Sequence, residues 1–423
     1  MNFNSSTPGN VVIVFLGNVR NGEFEQILDC GFQMCLLRDL NSNRACAEHS
    51  QLNCVNVEMN ADAIAPFLER LKSKFNLVVL IALRESYVAL AATLREKFEL
   101  LGLKPRDASF CLDKALLKMR LESTPAAEYL ARYKMVNNPS QVDEFMSQIE
   151  GSAVVKPSNL ASSLFVARVQ KEDAVRGFQK CLTATQERMQ HSGSHLVDSV
   201  LMEEWLEGSL HSVEVLWNSH GDIRTTPPVD ALTSAQVGGV GFQHCARYAP
   251  SALCEEKRRH LEHAAKVVAE SLNFRNAVGH VEFIFTAFGP RLLEVGARPG
   301  GHRIEILEHA FGIFLLREHI LDLVMEGRSA SRTQNPKFGY GIVTPFPNRS
   351  GNCSGLLSTD AFKKSDSFFK CDERVPKTVA TALDGGQSTI SYTYRSDEPN
   401  EISPLIRRLS SLPPPFLIES NLS

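Results

Sequence analysis

The segment GHVEFIFTAFGPRLLEVGARPGG (279–301) carries two glutamates on two apolar runs joined by Ala287-Phe288-Gly289. Val, Ile, Leu and Phe dominate 281–286 and 290–295, the composition of paired strands. A three-residue loop with a left-handed Gly289 pairs Thr286 with Pro290, and counting back sets Glu282 opposite Glu294. Two carboxylates opposed on one sheet face repel, so the pair calls for a cation between them. A hard divalent ion such as Mg²⁺, which takes oxygen ligands at about 2.0–2.1 Å, suits it, with Mn²⁺ an admissible substitute. Arg298 points the same way if the second strand runs on, and a metal beside a fixed guanidinium suits a phosphate. The bland alternative is a solvent-facing hairpin with two unrelated glutamates.

Lys156 closes the β run AVVK (153–156) and precedes Pro157. A strand lysine that points inward is costly to bury unless an anion meets it. The sequence contains no G-x-x-x-x-G-K-[ST], so a P-loop is excluded as the phosphate cradle, and Gly17 and Gly22 do not complete a G-x-G-x-x-G. His260 and His263 lie in CEEKRRHLEHAAKVVAESLN (254–273), where Leu261, Ala264, Ala265, Val268 and Leu272 recur at helical spacing. Their charged neighbours make them surface residues of an amphipathic helix rather than metal ligands.

The elements that must position these groups follow from the same patterns. Strand, loop, helix and strand are legible over 10–40, followed by strands at LNCVNVE and NLVVLIA and an amphipathic helix over 87–102. That alternation predicts a parallel α/β layer. From Asp113 the chain reads helical, and 128–151 leads into the extended AVVKP. Another helix covers 171–189; beyond the connector SASRTQNPK, short strands are expected at GYGIVTPFP, KTVATAL and STISYTY. An apolar content of 43% and a charged content of 22% fit a globular chain of two or three domains, and a net charge of −3 offers no basic face for nucleic acid or an anionic membrane. VVIVFLG and LVVLIAL fall short of the roughly 18 apolar residues of a membrane span. MNFNSSTPGN carries no leader-like pattern, and ten cysteines without a C-x-x-C read as free thiols, so a cytoplasmic location is expected.

E-x-G-A-R-P-G-G after G-H-V-E resembles the metal-binding core of ATP-grasp carboxylate–amine ligases. The resemblance runs in order through LDKALLKMRL (112–121), AVVKPSNLASSLFV (153–166) and LMEEWLEGSLHSVEV (201–215) to the hairpin, over roughly residues 10–325. Within that superfamily the chain is most similar to the L-amino-acid ligases that make dipeptides, of the dapdiamide and tabtoxin type found in antibiotic biosynthesis. The implied fold is ATP-grasp, α/β and α+β: an N-terminal α/β domain (1–112), lobe A (113–203), lobe B with the Mg²⁺ site (204–330) and a β-rich extension (331–423).

The resemblance also implies roles. Lys114 and Lys156 contact the phosphates of ATP, beneath a loop that includes Ser162 and Ser163. That loop has no glycine where relatives commonly have them, which shifts hydrogen bonding onto the serine hydroxyls. The backbone of Glu204, Trp205 and Leu206 meets the adenine edge, with Leu293 among the nucleotide contacts. Leu210 stands where many relatives carry a ribose-binding glutamate, leaving Glu203, Glu204 and His211 as alternatives for the sugar. Glu214 is read as support for the site or, equally, as a solvated strand residue. GGVGFQHCARYAP (238–250) lines the acceptor side, where His244 or Arg247 orients a carboxylate, together with Arg298, Gly300 and Gly301. Gly296 replaces a third metal ligand of E-x-N-x-R.

The implied reaction joins two amino acids through an acyl phosphate, with Lys156 and Arg298 as catalytic cations, releasing ADP and phosphate. Small-molecule substrates are the expected partners, without nucleic acid or membrane, and a homodimer is compatible. The alternatives are a carboxylase-type or other ATP-grasp ligase and a non-catalytic nucleotide-binding subunit.

Overall fold

A computed structural model describes residues 10–19, 21–40, 49–160, 163–192, 199–325, 335–381 and 388–419. The N-terminal layer is a four-stranded parallel sheet in the order Leu52–Val57, Gln33–Asp39, Val11–Leu16 and Leu77–Ala82. Every residue of Val11–Leu16 is buried, because both faces of the sheet are covered. Val12, Val14 and Leu16 face a core shared with the helices Ala61–Lys72 and Val88–Lys97. Val11, Ile13 and Phe15 face the opposite way, into a core shared with the helices Arg303–Phe311 and Leu315–Val324. The second packing fixes the 83–86 turn, at the end of the last strand, against the rest of the molecule.

The small lobe is an antiparallel sheet in the order Tyr133–Val136, Val200–Glu204, Ala153–Lys156 and Ala167–Val169. Its core is closed by the helices Pro139–Gln148 and Ala174–Ser192. Asn138 caps the first of these: its side chain accepts the Gln141 N–H, and Pro139 occupies the opening turn.

The large sheet runs Gly289–Gly296, Ala277–Thr286, Ser209–Trp217, Val229–Thr233, His244–Ala249, Gly339–Val343, Ile390–Ser396 and Phe368–Glu373. Strands from beyond residue 330 therefore continue the sheet that carries the two glutamates. The helix Glu255–Leu272 lays Leu261, Ala264, Ala265, Val268 and Leu272 against this sheet, while His260 and His263 stay exposed, as their spacing predicts. A strand is also present within KTVATAL, at Thr378–Val379.

The hairpin places Glu282 opposite Glu294 as expected, by a different route. Thr286 pairs with Gly289 rather than Pro290, so the loop is one residue tighter than its sequence suggests, and Gly289 takes a φ of +107°. A bulge after Phe283–Leu292 then restores the pairing. Its extra residue, Leu293, ends up beside Glu294 on the wall of the same cavity, because a bulge presents two consecutive side chains where a regular strand presents one.

Candidate active site

A cavity of about 1480 Å³ opens where the N-terminal layer, the small lobe and the large sheet meet. Its wall includes Lys114, Lys156, Glu282, Leu293, Glu294 and Arg298. Ser163, Glu203, Glu204, Trp205 and Leu206 border it from the small lobe and its exit, and His244, Arg247, Gly300 and Gly301 from the large sheet. His211 is not brought there, and Ser162 lies outside the described residues.

Glu282 is buried, and its Oε1 accepts a hydrogen bond from His280 Nε2 at 2.6 Å. The other imidazole nitrogen of His280 bonds Glu214 Oε1. Burial works against charge on His280, but the flanking carboxylates of Glu214 and Glu282 outweigh it and push the imidazole up to about 9, so it donates from both nitrogens at neutral pH. Burial also opposes charge on Glu282, yet His244, His280 and Arg303 together hold its carboxyl well below the usual range. Burial pushes His244, 3.8 Å from Glu282 Oε2, down to about 3. Glu294 leaves about 40% of its side chain open, with Lys114 Nζ 3.2 Å from Oε2.

Among the described residues no group of three or more His, Cys, Asp or Glu is arranged to hold a metal ion. Two opposed carboxylates on one cavity wall nevertheless fit Mg²⁺, which commonly takes one or two protein carboxylates and completes its octahedron with phosphate and water.

Glu214 is no solvated strand residue. It is buried; one oxygen meets His280 and the other accepts the Gly300 N–H at 2.9 Å. It thereby ties the loop carrying Arg298, Gly300 and Gly301 to the imidazole that steadies Glu282. Gly300 packs flat on that imidazole: a Cβ there would lie 2.4 Å from ring atoms of His280, whereas one at Gly301 would meet nothing within 4 Å. Gly300→Ala should therefore lower unfolding stability by about 1–3 kcal/mol, the usual cost of overpacking, while Gly301→Ala melts like wild type. Equal denaturation midpoints in the two variants would contradict this packing.

The two lysines expected at the phosphates occupy different surroundings. Lys114 follows the N-cap Asp113 and donates to Leu160 O at 3.0 Å. Burial works against its charge, but Glu294 and the other nearby carboxylates raise its pKa overall. Lys156 does meet an anion, and it is an internal one: Nζ lies 2.5 Å from Glu203 Oε2. Glu203, one of the candidates for the sugar, lines the cavity with its carboxylate buried and held between Lys156 and Lys118. His211, another of those candidates, is not on the cavity wall; it is buried with Nδ1 2.7 Å from Asp230 and Nε2 2.5 Å from Ser209 Oγ.

At the exit of the small lobe, the Glu204 and Trp205 amides donate to Arg132 O and Ser152 O, which leaves the Leu206 amide as the one able to meet a purine edge. The Trp205 ring faces the cavity with the Arg168 guanidinium 4.3 Å from its centroid. The glycine-free loop still uses left-handed backbone, at Ser163 (φ +53°) and Phe165 (φ +58°). Ser163 Oγ donates to Phe242 O at 3.3 Å, joining this loop to the 238–250 segment. Arg298 lies past the strand end at Gly296, so continuation of the strand does not aim it. Its Nε is 2.7 Å from Glu85 Oε2 on the N-terminal layer, a cavity residue that sequence reasoning missed because nothing marks it in LRESY (83–87), a stretch of ordinary polarity. Lys118 was missed too, although its helical i,i+4 spacing from Lys114 places both on one side of the helix Lys114–Leu121.

Residues 149–305 match the family model described as the ATP-grasp domain. The chain has the ATP-grasp fold. An L-amino acid ligase from Bacillus licheniformis superposes with a TM-score of 0.72 at 16% identity, over 97% of this chain and 99% of that one. Phosphoribosylglycinamide synthetase from Anaerococcus prevotii gives 0.67 at 15% identity, over 97% and 100%. N5-carboxyaminoimidazole synthetase from Staphylococcus aureus, complexed with ADP, gives 0.69 at 14% identity, over 97% and 99%. No curated protein matches the chain in sequence. No helix among the described residues of this ATP-grasp chain is long and apolar enough to cross a membrane.

Proposed function

We propose that the chain is an ATP-dependent carboxylate–amine ligase that joins two amino acids into a dipeptide, releasing ADP and phosphate. The observation that carries this reading is the opposed pair Glu282 and Glu294 in one cavity with Lys114, Lys156 and Arg298. The substrate carboxylate attacks the γ-phosphorus of ATP, and the amine of the second amino acid displaces phosphate from the acyl phosphate. Glu282 and Glu294 would hold Mg²⁺, which would supply neutralisation of the phosphate charge. Lys114 and Lys156 offer ammonium groups to the phosphates, and the Leu206 amide and the Trp205 face receive adenine. Arg298 and Arg247 hold free carboxylates near the reacting carbon through charge-assisted hydrogen bonds. Closure of the site must exclude water from the acyl phosphate, which otherwise hydrolyses. The similarity to the L-amino acid ligase supports amino acids as both substrates. A second reading, a ligase acting on another carboxylate or amine, draws on the comparable likeness to phosphoribosylglycinamide synthetase.

Pairs of the twenty amino acids, incubated with MgATP and followed by phosphate release and mass spectrometry, test the proposal. The expected products are ADP, phosphate and an amide in equal amounts. AMP and pyrophosphate as stoichiometric products would overturn the acyl-phosphate route. The absence of any amide product across all pairs would overturn dipeptide synthesis and leave the second reading.

A further inference from the structure

Lys118 has no place in the chemistry described so far. It sits on the helix Lys114–Leu121 with 1% of its side chain exposed, behind Glu203 and off the cavity wall. Its Nζ approaches Glu203 Oε1 to 2.8 Å, a charge contact out of hydrogen-bond alignment, and neither atom has a hydrogen-bond partner among the described residues. The Tyr133 ring covers the ammonium at 5.4 Å from its centroid. On the cavity side of the same carboxylate, Lys156 meets Glu203 Oε2 at 2.5 Å. Two buried ammonium groups thus share one carboxylate, and the trio has a surplus positive charge on its cavity side.

The surplus matters when an anion enters. If Lys156 alone neutralised Glu203, turning its ammonium toward a phosphate would strand a buried carboxylate, and an uncompensated buried charge is strongly unfavourable. Resting on the reading of Lys156 as a phosphate ligand, we propose that Lys118 is a positioning residue: the standing counterion of Glu203 that frees Lys156 to engage the nucleotide. Lys118 touches no substrate. It sets how firmly Glu203 competes with phosphate for Lys156.

The test is MgADP binding by calorimetry with full-length protein, supported by melting curves without ligand. Lys118→Met should weaken MgADP about tenfold or more, the scale of one charge-assisted hydrogen bond, because Lys156 becomes the sole partner of Glu203. The double variant Lys118→Met/Glu203→Gln should restore affinity to within about threefold of wild type, since a neutral amide no longer competes for Lys156. In steady state the single variant should raise the KM for ATP and leave the amino-acid KM unchanged. Unchanged affinity in the single variant, or a double variant as weak as the single one, would overturn the proposal. Should the Met variant not fold, Lys118→Arg decides: retained binding supports a role set by charge, and lost binding overturns it. Wild-type protein that binds no MgADP would instead overturn the nucleotide reading, and this inference with it.

Discussion

Turnover in Glu282→Ala or Glu294→Ala should fall at least about 100-fold, the scale on which electrostatic stabilisation of a developing charge is lost. The two variants should differ in stability. Glu294 is partly open and its partner Lys114 also donates to Leu160 O, so its removal leaves no buried charge without support. Glu282 is buried against His280 and Arg303, and its removal leaves two buried cations facing an empty position. Melting curves should therefore show Glu294→Ala close to wild type and Glu282→Ala clearly lowered. Both should also lose the Mg²⁺-dependent part of the stabilisation that ADP confers, a readout independent of turnover. Near-wild-type activity in both variants would reject the carboxylate pair as a metal site.

Lys156→Ala should weaken MgATP binding about tenfold to 100-fold and slow phosphoryl transfer as well, because one fixed charge at the phosphates disappears. The protein should remain folded, since Glu203 keeps Lys118 at 2.8 Å when Lys156 is gone. Binding and rate unchanged in this variant would remove Lys156 from the nucleotide site and leave it as a structural ion pair. Calorimetry with MgADP and a single-turnover assay with MgATP separate the two contributions.

Much of this architecture was legible because its signals are local. Val11–Leu16 is apolar throughout because helices cover both faces of its sheet, and the spacing Leu261, Ala264, Ala265, Val268 announces one buried helix face. The site was legible where a residue's neighbours in sequence are also its neighbours in space, as for the hairpin glutamates. It was not legible where a partner comes from another element. Glu203 looks like a free hinge carboxylate until the helix Lys114–Leu121 and the strand Ala153–Lys156 bring two lysines to it. His211 looks like a sugar ligand until Asp230, on the adjacent strand, claims it. Arg298 needed Glu85, from a different layer, to fix its direction. Periodicity reports which face a side chain occupies, and it carries no information about which distant charge meets it there.

The tight loop at Thr286–Gly289 and the bulge at Leu293 offset one another in the hairpin. An insertion in the loop, coupled with deletion of the bulged residue, would leave Glu282 opposite Glu294 and conserve chain length. Either change alone, taken up where it is made, would also keep the two glutamates opposed but would alter the chain length by one residue. The opposition of Glu282 and Glu294 is thus insensitive to length changes at the loop tip and at the bulge. A residue-by-residue comparison with a hairpin of the longer-loop kind would remain in step at both glutamates and fall out of step between them. Leu293, the residue such a comparison would misplace, is the one that the bulge delivers to the cavity wall.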